Sequence, residues 1–295
     1  MPANAINEIK PILEPIWNAV WGAVSDAALS AFPLLHILFI IAAAYLGVLL
    51  YPRIQSRARE ILAQALGGFV LMLGVLEGFL SLNLDPGAEQ LEPVGSMLIP
   101  VALAIGFLLG EAIQPEILLG KLGKLLHEFL WPSNATPKKD ERRHAAKDTP
   151  TLSASRQYDA TSFIAATLIC AFSGSTMQCA LVAQGAGNAG PLAVKLLTDA
   201  ALIFALAMLY GVSAGFAAVP ALVIDGGLLL LAKNLGDKLP ATLPPQLQAI
   251  GACILILLGL SLMLGKKLRA SHLVPALLIP PLYEMVLAIS EKAGQ

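Results

Sequence analysis

Charged residues are scarce in this sequence. Only 13% of its 295 residues are Asp, Glu, Lys or Arg, whereas 57% are hydrophobic and the mean hydropathy is +0.73. Because a soluble domain carries about 25% charged residues, this composition excludes an ordinary soluble protein and indicates a membrane protein. The formal net charge of −1 provides no basic excess that would favour a nucleic-acid partner.

Cysteines and catalytic motifs are also few. The three cysteines, Cys170, Cys179 and Cys253, lie inside apolar segments, where we interpret the thiols as small buried hydrophobic groups. The sequence has no His-Glu-x-x-His or Cys-x-x-Cys motif. It therefore predicts a protein that is not an enzyme and has no cofactor or metal site. A serine-hydrolase dyad of Ser175 and His272 is the weaker alternative.

The first thirty residues show no pattern of a cleavable signal peptide, which begins with basic residues followed by an apolar core. Apolar residues recur there at helical spacing, which predicts an amphipathic arm over residues 1–30. The arm lies in the membrane interface or packs on the helix bundle. The residues of this stripe are Ile6, Ile9, Leu13, Trp17, Val20, Trp21 and Val24.

Long hydrophobic runs dominate the remainder. A helix needs about 20 mostly apolar residues to cross the hydrocarbon, because lipid offers backbone groups no other hydrogen-bond partner. The fold class predicted is all-α, a polytopic membrane helix bundle of about eight (seven to eight) transmembrane helices. The eight stretches are 31–51, 61–82, 94–113, 161–184, 192–212, 214–232, 247–265 and 272–289.

Basic residues predict the orientation of the bundle, because they accumulate on the cytoplasmic side. With both termini outside, fourteen of the 19 Lys and Arg residues fall on that side. The chain then divides into the arm, a first membrane repeat (31–113), a cytoplasmic amphipathic helix with a basic linker (114–160), and a second membrane region (161–295). The amphipathic helix presents Leu118, Leu122, Leu125, Leu126 and Phe129 on one face.

Two pairs of segments resemble each other. "QALGGFVLMLGVL" at 64–76 resembles "QAIGACILILLGL" at 248–260, and "SMLIPVALAI" at 96–105 resembles "SHLVPALLIP" at 271–280. The paired segments predict an inverted repeat of spans 1–3 and 6–8, an arrangement used by many secondary transporters. The mid-span prolines Pro100 and Pro275 occupy matching positions, where each would release a backbone carbonyl. Chance similarity of Gly- and Leu-rich helices is the alternative.

Ionisable residues inside the spans are the candidates for function, because a charge in a spanning helix costs about 3 kcal/mol on insertion scales. Lys195 and Asp199 are four residues apart and share one helix face, so each can neutralise the other. Asp225 lies mid-span without a charged residue on its own helix. Other ionisable residues in or near the spans are Glu77, Glu111, Glu284, His36 and His272, and neutral polar residues of the fourth span include Ser173, Ser175, Thr176, Gln178 and Gln184.

Several motifs in a shared order resemble the bacterial YdfK/YqgA inner-membrane proteins, a family with a domain of unknown function. They are "LAIGFLLGEAIQPEILLGKLGKLL", "FIAATLICAFSGSTMQCALVAQGAGNAGPLAVKLLTD", "VPALVIDGGLLLLA" and "HLVPALL". The resemblance implies a multi-pass protein of the bacterial inner membrane and adds Met177 to the positions of interest. The chain is a divergent member, because Asp225 and His272 stand where members usually have Gln and Asn.

Two functions follow from these patterns. The first is a transporter or channel for a small solute or ion, with a cation or proton-coupled solute favoured by the excess of carboxylates. The second is a non-transporting scaffold or complex subunit, with the basic linker as its docking element. The expected partners are membrane lipids, the small solute or ion, and further copies of the chain in a homo-oligomer. The predicted pathway residues are Glu111, Ser175, Met177, Gln178, Lys195, Asp199, Asp225 and His272, with Glu77, Gln184, Pro100 and Pro275 as secondary candidates.

Overall fold

The computed structural model describes residues 31–82, 93–130, 158–174, 190–235, 240, 242–266 and 268–293, and these residues form helices without any strand. The predicted all-α fold class is confirmed. The described helices are α1 (31–50, extended by a 3-10 turn at Tyr51–Arg53), α2 (Ser56–Leu82), α3 (Pro93–Ile113), α4 (Pro115–Leu130), α5 (Ala160–Phe172), α6 (Gly190–Tyr210), α7 (Ala218–Leu235), α8 (Leu243–Leu264) and α9 (Ile279–Ala293). Two longer 3-10 segments, Val212–Ala217 and Ala270–Leu278, precede α7 and α9.

Six of the described helical stretches are long and apolar enough to cross a membrane. They are Ala31–Arg53, Arg57–Ser81, Pro191–Tyr210, Val212–Leu230, Leu243–Leu264 and Ala270–Leu287. A seventh results if α3 and α4, which meet at a 55° bend, count as one broken span. The bend falls at Gln114, a single non-helical residue with φ 53°. The chain is therefore a multi-pass helical membrane protein, and the amphipathic helix predicted after residue 114 is α4.

The predicted fourth span, 161–184, is only partly described. Its first part forms α5, which with 13 residues is about 20 Å long and too short to cross a hydrocarbon core of about 30 Å. Ser173 and Gly174 follow α5, and residues 175–184 of this stretch lie outside the described residues. Helix α5 is nevertheless central, since it contacts α4, α6, α7 and α8, and its Phe163 and Ile169 are fully buried.

The most extensive helix pair among the described elements is α2 with α8. Gly67 of α2 lies against the backbone of Met263. Further along α2, Gly74 lies against the backbone of Ile256, so the two helices run antiparallel. Such close backbone approach requires small residues at the contact, as in other membrane helix pairs.

A second antiparallel pair is formed by α3 and the 3-10 segment Ala270–Leu278. Gly106 lies against Ala276 and Gly110 against His272. Within each antiparallel pair, the two segments in contact are segments that resemble each other in sequence. Contacts of this kind are expected around a twofold axis in the membrane plane, and the inverted repeat itself stays a prediction.

The start of α5 is fixed by an N-cap. Asp159 Oδ1 accepts hydrogen bonds from the backbone N–H groups of Thr161 (2.7 Å) and Ser162 (3.1 Å). Its own backbone N–H donates to Ser213 Oγ at 2.7 Å, which ties the cap to the 3-10 segment before α7. The cap therefore fixes both the first turn of α5 and its register against the neighbouring segment.

We expect Asp159→Ala to lower the free energy of unfolding by about 1 kcal/mol, because two N–H groups of the first turn lose their acceptor. Denaturation of the purified protein in mixed micelles would measure the change. Asp159→Asn is the matched control, since the amide oxygen can still cap. Equal losses for Asn and Ala would contradict capping as the cause.

Candidate functional site

Four ionisable side chains from three helices meet in the interior. They are His36 of α1, Lys195 and Asp199 of α6, and Asp225 of α7, and each is at most 1% exposed. We call this group the ionic cluster. The C-terminal end of α5 borders it. Because a buried charge is stable only beside compensating groups, the contacts within the cluster determine what it can bind.

Lys195 is held by both a carboxylate and a helix end. Its Nζ lies 2.7 Å from Asp199 Oδ2, as the four-residue spacing predicts. It also donates to the backbone carbonyl oxygens of Cys170 (2.7 Å) and Ser173 (3.0 Å), where α5 ends. The last carbonyl groups of a helix lack partners within it and carry partial negative charge, so this end of α5 is a favourable place for an ammonium group.

The end of α5 depends on its local sequence. Ser173 leaves the helical conformation with ψ 129°, and Gly174 follows with φ 68°, a left-handed conformation that glycine adopts without strain. Ser173 Oγ donates to Asp199 Oδ1. The helix end thus supplies carbonyl groups to Lys195 and a hydroxyl group to Asp199.

His36 connects the two carboxylates. Its Nδ1 lies 2.5 Å from Asp225 Oδ2, and its Nε2 lies 2.9 Å from Asp199 Oδ2. The second contact is close but is not aligned as a hydrogen bond, and Nε2 has no hydrogen-bond partner among the described residues. Phe32 stacks on the imidazole with ring centroids 5.4 Å apart, which fixes the ring plane.

The formal charges of the cluster do not cancel without His36. Two carboxylates face one ammonium group, which leaves one negative charge in a region from which water is excluded. A proton on the imidazole or a bound cation supplies the balancing charge. Asp225 Oδ1 likewise has no hydrogen-bond partner within the described part of the chain. The arrangement is therefore suited to binding a cation.

The cluster also contains a set of atoms that metals bind. His36, Cys170 and Asp199 each offer one ligand atom, and these three atoms lie within 4.8 Å of one another. Cys170 is fully buried and its thiol is free.

Two of the predicted pathway residues form a separate group. Glu111 of α3 lies 3.0 Å from Arg269 Nη1, and its Oε2 lies 3.1 Å from His272 Nδ1. Glu111 and Arg269 are about half exposed, so their pairing lies at the molecular surface. None of the described contacts joins this group to the ionic cluster. It links α3 to the 3-10 segment before α9.

The remaining predicted residues are placed as follows. Glu77 is 7% exposed and accepts a hydrogen bond from Gln248 Nε2 at 2.7 Å, across the α2–α8 interface. Pro100 lies within α3 and Pro275 within the 3-10 segment Ala270–Leu278. Glu284 accepts a hydrogen bond from Thr242 Oγ1. Ser175, Met177, Gln178 and Gln184 lie outside the described residues.

Sequence reasoning did not place three contributors at the site. His36 was recognised as ionisable but assigned near a helix end, Ser173 was one of several neutral polar residues, and Cys170 was interpreted as a small hydrophobic group. A histidine within an apolar helix was the available signal for His36. The Ser173-Gly174 pair was the available signal for a helix end inside the apolar stretch.

The family described as "Protein of unknown function (DUF554)" matches residues 33–285 of the chain. The chain belongs to this family. The match includes α1 with His36, the helices that carry the rest of the ionic cluster, and the Glu111–Arg269–His272 group. The DUF554 description assigns no activity to these residues. No curated protein and no solved structure matches the chain.

Proposed function

We propose that this protein is a transporter that carries a small cation across a membrane and binds it at the ionic cluster. The supporting observation is the meeting of His36, Lys195, Asp199 and Asp225 in the interior of a multi-pass bundle. Ionisable groups inside membrane helices mark ion pathways and coupling sites in general. The excess of carboxylates over ammonium groups favours a cation over an anion.

Lys195 has a definite role in this proposal. It neutralises Asp199 when no ion is bound, so the empty site is stable in the membrane interior. An entering cation competes with the ammonium group for Asp199 Oδ2. Lys195 then keeps its hydrogen bonds to the carbonyl oxygens of Cys170 and Ser173. The end of α5 therefore still stabilises the charge of the ammonium group.

The helix end at the cluster also supports transport. Helix α5 ends at Phe172, and the carbonyl groups of Cys170 and Ser173 at this end face Lys195. Discontinuous helices supply free backbone groups to ions in many transporters. The paired antiparallel segments of α2 with α8 and α3 with Ala270–Leu278 are consistent with rocking of two related halves.

The cellular setting is part of the proposal. We place the chain in a bacterial inner membrane as a divergent YdfK/YqgA-type protein with both termini outside, and we assign it no enzymatic activity. The outward apolar residues of α4, such as Leu125 and Phe129 at 63% and 79% exposure, would contact lipid. A homo-oligomer is compatible with the apolar outer faces of the bundle.

Ion flux in proteoliposomes tests the proposal. Asp225→Asn should reduce uptake of the transported cation by about tenfold or more, because one lost charged contact is worth more than the 1.4 kcal/mol of a factor of ten. Uptake of H⁺, Na⁺, K⁺, Mg²⁺, Mn²⁺, Co²⁺ and Zn²⁺ would be measured separately. Glu128→Gln is the matched control, since Glu128 pairs with Lys124 on the exposed face of α4.

Size-exclusion elution would verify that both variants remain folded. Uptake of none of these cations by the wild-type protein, relative to empty liposomes, would overturn the proposal. The scaffold alternative depends on residues 132–158, of which 132–157 lie outside the described residues. It would be favoured by a stoichiometric partner that is lost when this segment is deleted.

A further inference from the structure

We infer that His36 Nε2, Asp199 Oδ2 and Cys170 Sγ form a binding site for a divalent transition metal of the Zn²⁺ or Co²⁺ type. The ligands come from α1, α6 and α5, so no short sequence motif marks the site. Metal binding is inferred from the ligand set and from the environment of His36, independently of transport. The further idea that this metal is the transported ion rests on the proposed function.

The geometry is close to that of a metal site. The three residues are buried and each offers one ligand atom within 4.8 Å of the others, and His36 Nε2 lies 2.9 Å from Asp199 Oδ2. Bonds of about 2.0 Å to nitrogen and oxygen and about 2.3 Å to sulfur place tetrahedral ligands roughly 3.3–3.5 Å apart. Small side-chain movements would therefore close the site around an ion. Three protein ligands also leave a fourth position open, which suits an ion that must enter and leave.

The environment of His36 is the second, independent observation. Imidazole groups that bind metals usually donate their other ring N–H group to a carboxylate, which fixes the ring and directs the free nitrogen at the metal. Asp225 Oδ2 lies 2.5 Å from His36 Nδ1 and occupies this position. The free nitrogen, Nε2, is fully buried and faces Asp199 Oδ2 at 2.9 Å without an aligned hydrogen bond. With the imidazole proton on Nδ1, Nε2 is an acceptor, and a cation beside it would be bound by both Nε2 and Asp199 Oδ2.

The nature of the ligands selects the metal class. A thiolate and an imidazole favour Zn²⁺, Co²⁺ and similar ions over Mg²⁺ and Ca²⁺, which prefer oxygen ligands. Metal binding would displace the thiol proton of Cys170, which is released. The three anionic groups and Lys195 then leave two negative charges, which a dication neutralises. Lys195 keeps its two carbonyl contacts at the end of α5 when Asp199 turns to the metal.

Spectroscopy of the full chain in nanodiscs with Co²⁺ alone tests the site. A Co²⁺–thiolate bond gives a charge-transfer band in the near ultraviolet, and tetrahedral Co²⁺ gives strong visible bands. We expect both in the wild-type protein and in the Cys179→Ser/Cys253→Ser variant, in which Cys170 is the remaining cysteine. Cys170→Ser should lose the charge-transfer band, whereas Cys253→Ser, the matched control, should keep it.

A second variant covers the case in which Cys170→Ser does not fold. Asp225→Asn leaves all three ligands in place but removes the carboxylate that orients His36. It should weaken Co²⁺ binding, measured by titration with Zn²⁺ competition, by at least about tenfold. An unchanged affinity in this variant, or a charge-transfer band that persists in folded Cys170→Ser, would overturn the inference.

Transport and binding give separable outcomes. Co²⁺ binding with the thiolate band but without uptake of any cation supports the metal site and refutes transport. Uptake of Na⁺, K⁺ or H⁺ by a protein that shows no Co²⁺ or Zn²⁺ binding refutes the metal site and leaves transport standing.

Discussion

Lys195→Met should lower the free energy of unfolding by about 3–5 kcal/mol, the usual effect of breaking a buried ion pair by removing one member. Asp199 would remain buried with one positive group fewer, and the carbonyl groups of Cys170 and Ser173 would lose their donor. The long apolar side chain of Met preserves most of the volume of Lys, so the loss reports charge and hydrogen bonding. Reversible unfolding in mixed micelles would measure it.

Two further variants separate stability from function. Lys195→Met combined with Asp199→Asn should recover most of the lost stability, because neither an ammonium group nor its carboxylate is left unpaired. It should not recover Co²⁺ binding or cation uptake. Lys124→Met is the control for removing a lysine, since the Lys124–Glu128 pair is two-thirds exposed and contributes about 0–1 kcal/mol. Equal stability losses for Lys195→Met and Lys124→Met would contradict the role of the buried pair.

Gly67→Ala should also destabilise the protein strongly, by about 3 kcal/mol, at the upper end of the usual cost of overpacking. A Cβ atom at this position would lie 2.4 Å from Met263 N and 2.7 Å from Gly259 O. Both are backbone atoms of α8, so the helices would have to separate. Gly259→Ala should act in the same way, because its Cβ atom would lie 2.3 Å from Leu71 N.

The neighbouring Gly68 is a matched control, because its substitution should change the free energy of unfolding in the opposite direction. A Cβ atom at Gly68 would have no atom within 4 Å among the described residues. Gly68→Ala should therefore stabilise α2 by up to about 1 kcal/mol, the difference in helix propensity between Gly and Ala. Denaturation midpoints of the two variants would show the contrast. A Gly67→Ala variant as stable as Gly68→Ala would contradict the close packing of α2 on α8.

The bundle could be predicted from sequence largely because lipid permits few structures. Hydropathy located the spans, and the boundary predicted between 192–212 and 214–232 lies next to the break that the structure has at Gly211. Hydropathy could not show that α5 ends at Phe172, since the apolar stretch continues beyond it. It also could not show that Pro275 lies in a nine-residue 3-10 segment rather than an α-helix, because the choice depends on packing against α3.

The candidate site was predictable only where its contacts are local. The pairing of Lys195 with Asp199 follows from helix geometry, since residues four apart share a face. Asp225 was predicted to have no charge partner on its own helix, but nothing in its own segment identifies His36 as its partner. Glu111 and His272 were predicted as pathway residues, and the structure pairs the half-exposed Glu111 with the buried His272 rather than with Lys195.

The distance along the chain between His36 and Asp225 has a consequence for biosynthesis. The two residues are 189 positions apart. At about 5–20 residues per second, the ribosome needs roughly 10–40 s to reach the second after making the first. During this time His36 lacks the carboxylate that contacts its Nδ1 in the finished protein. Chains truncated before α7 should therefore be recognised by membrane proteases, whereas full-length chains should escape degradation once α7 docks.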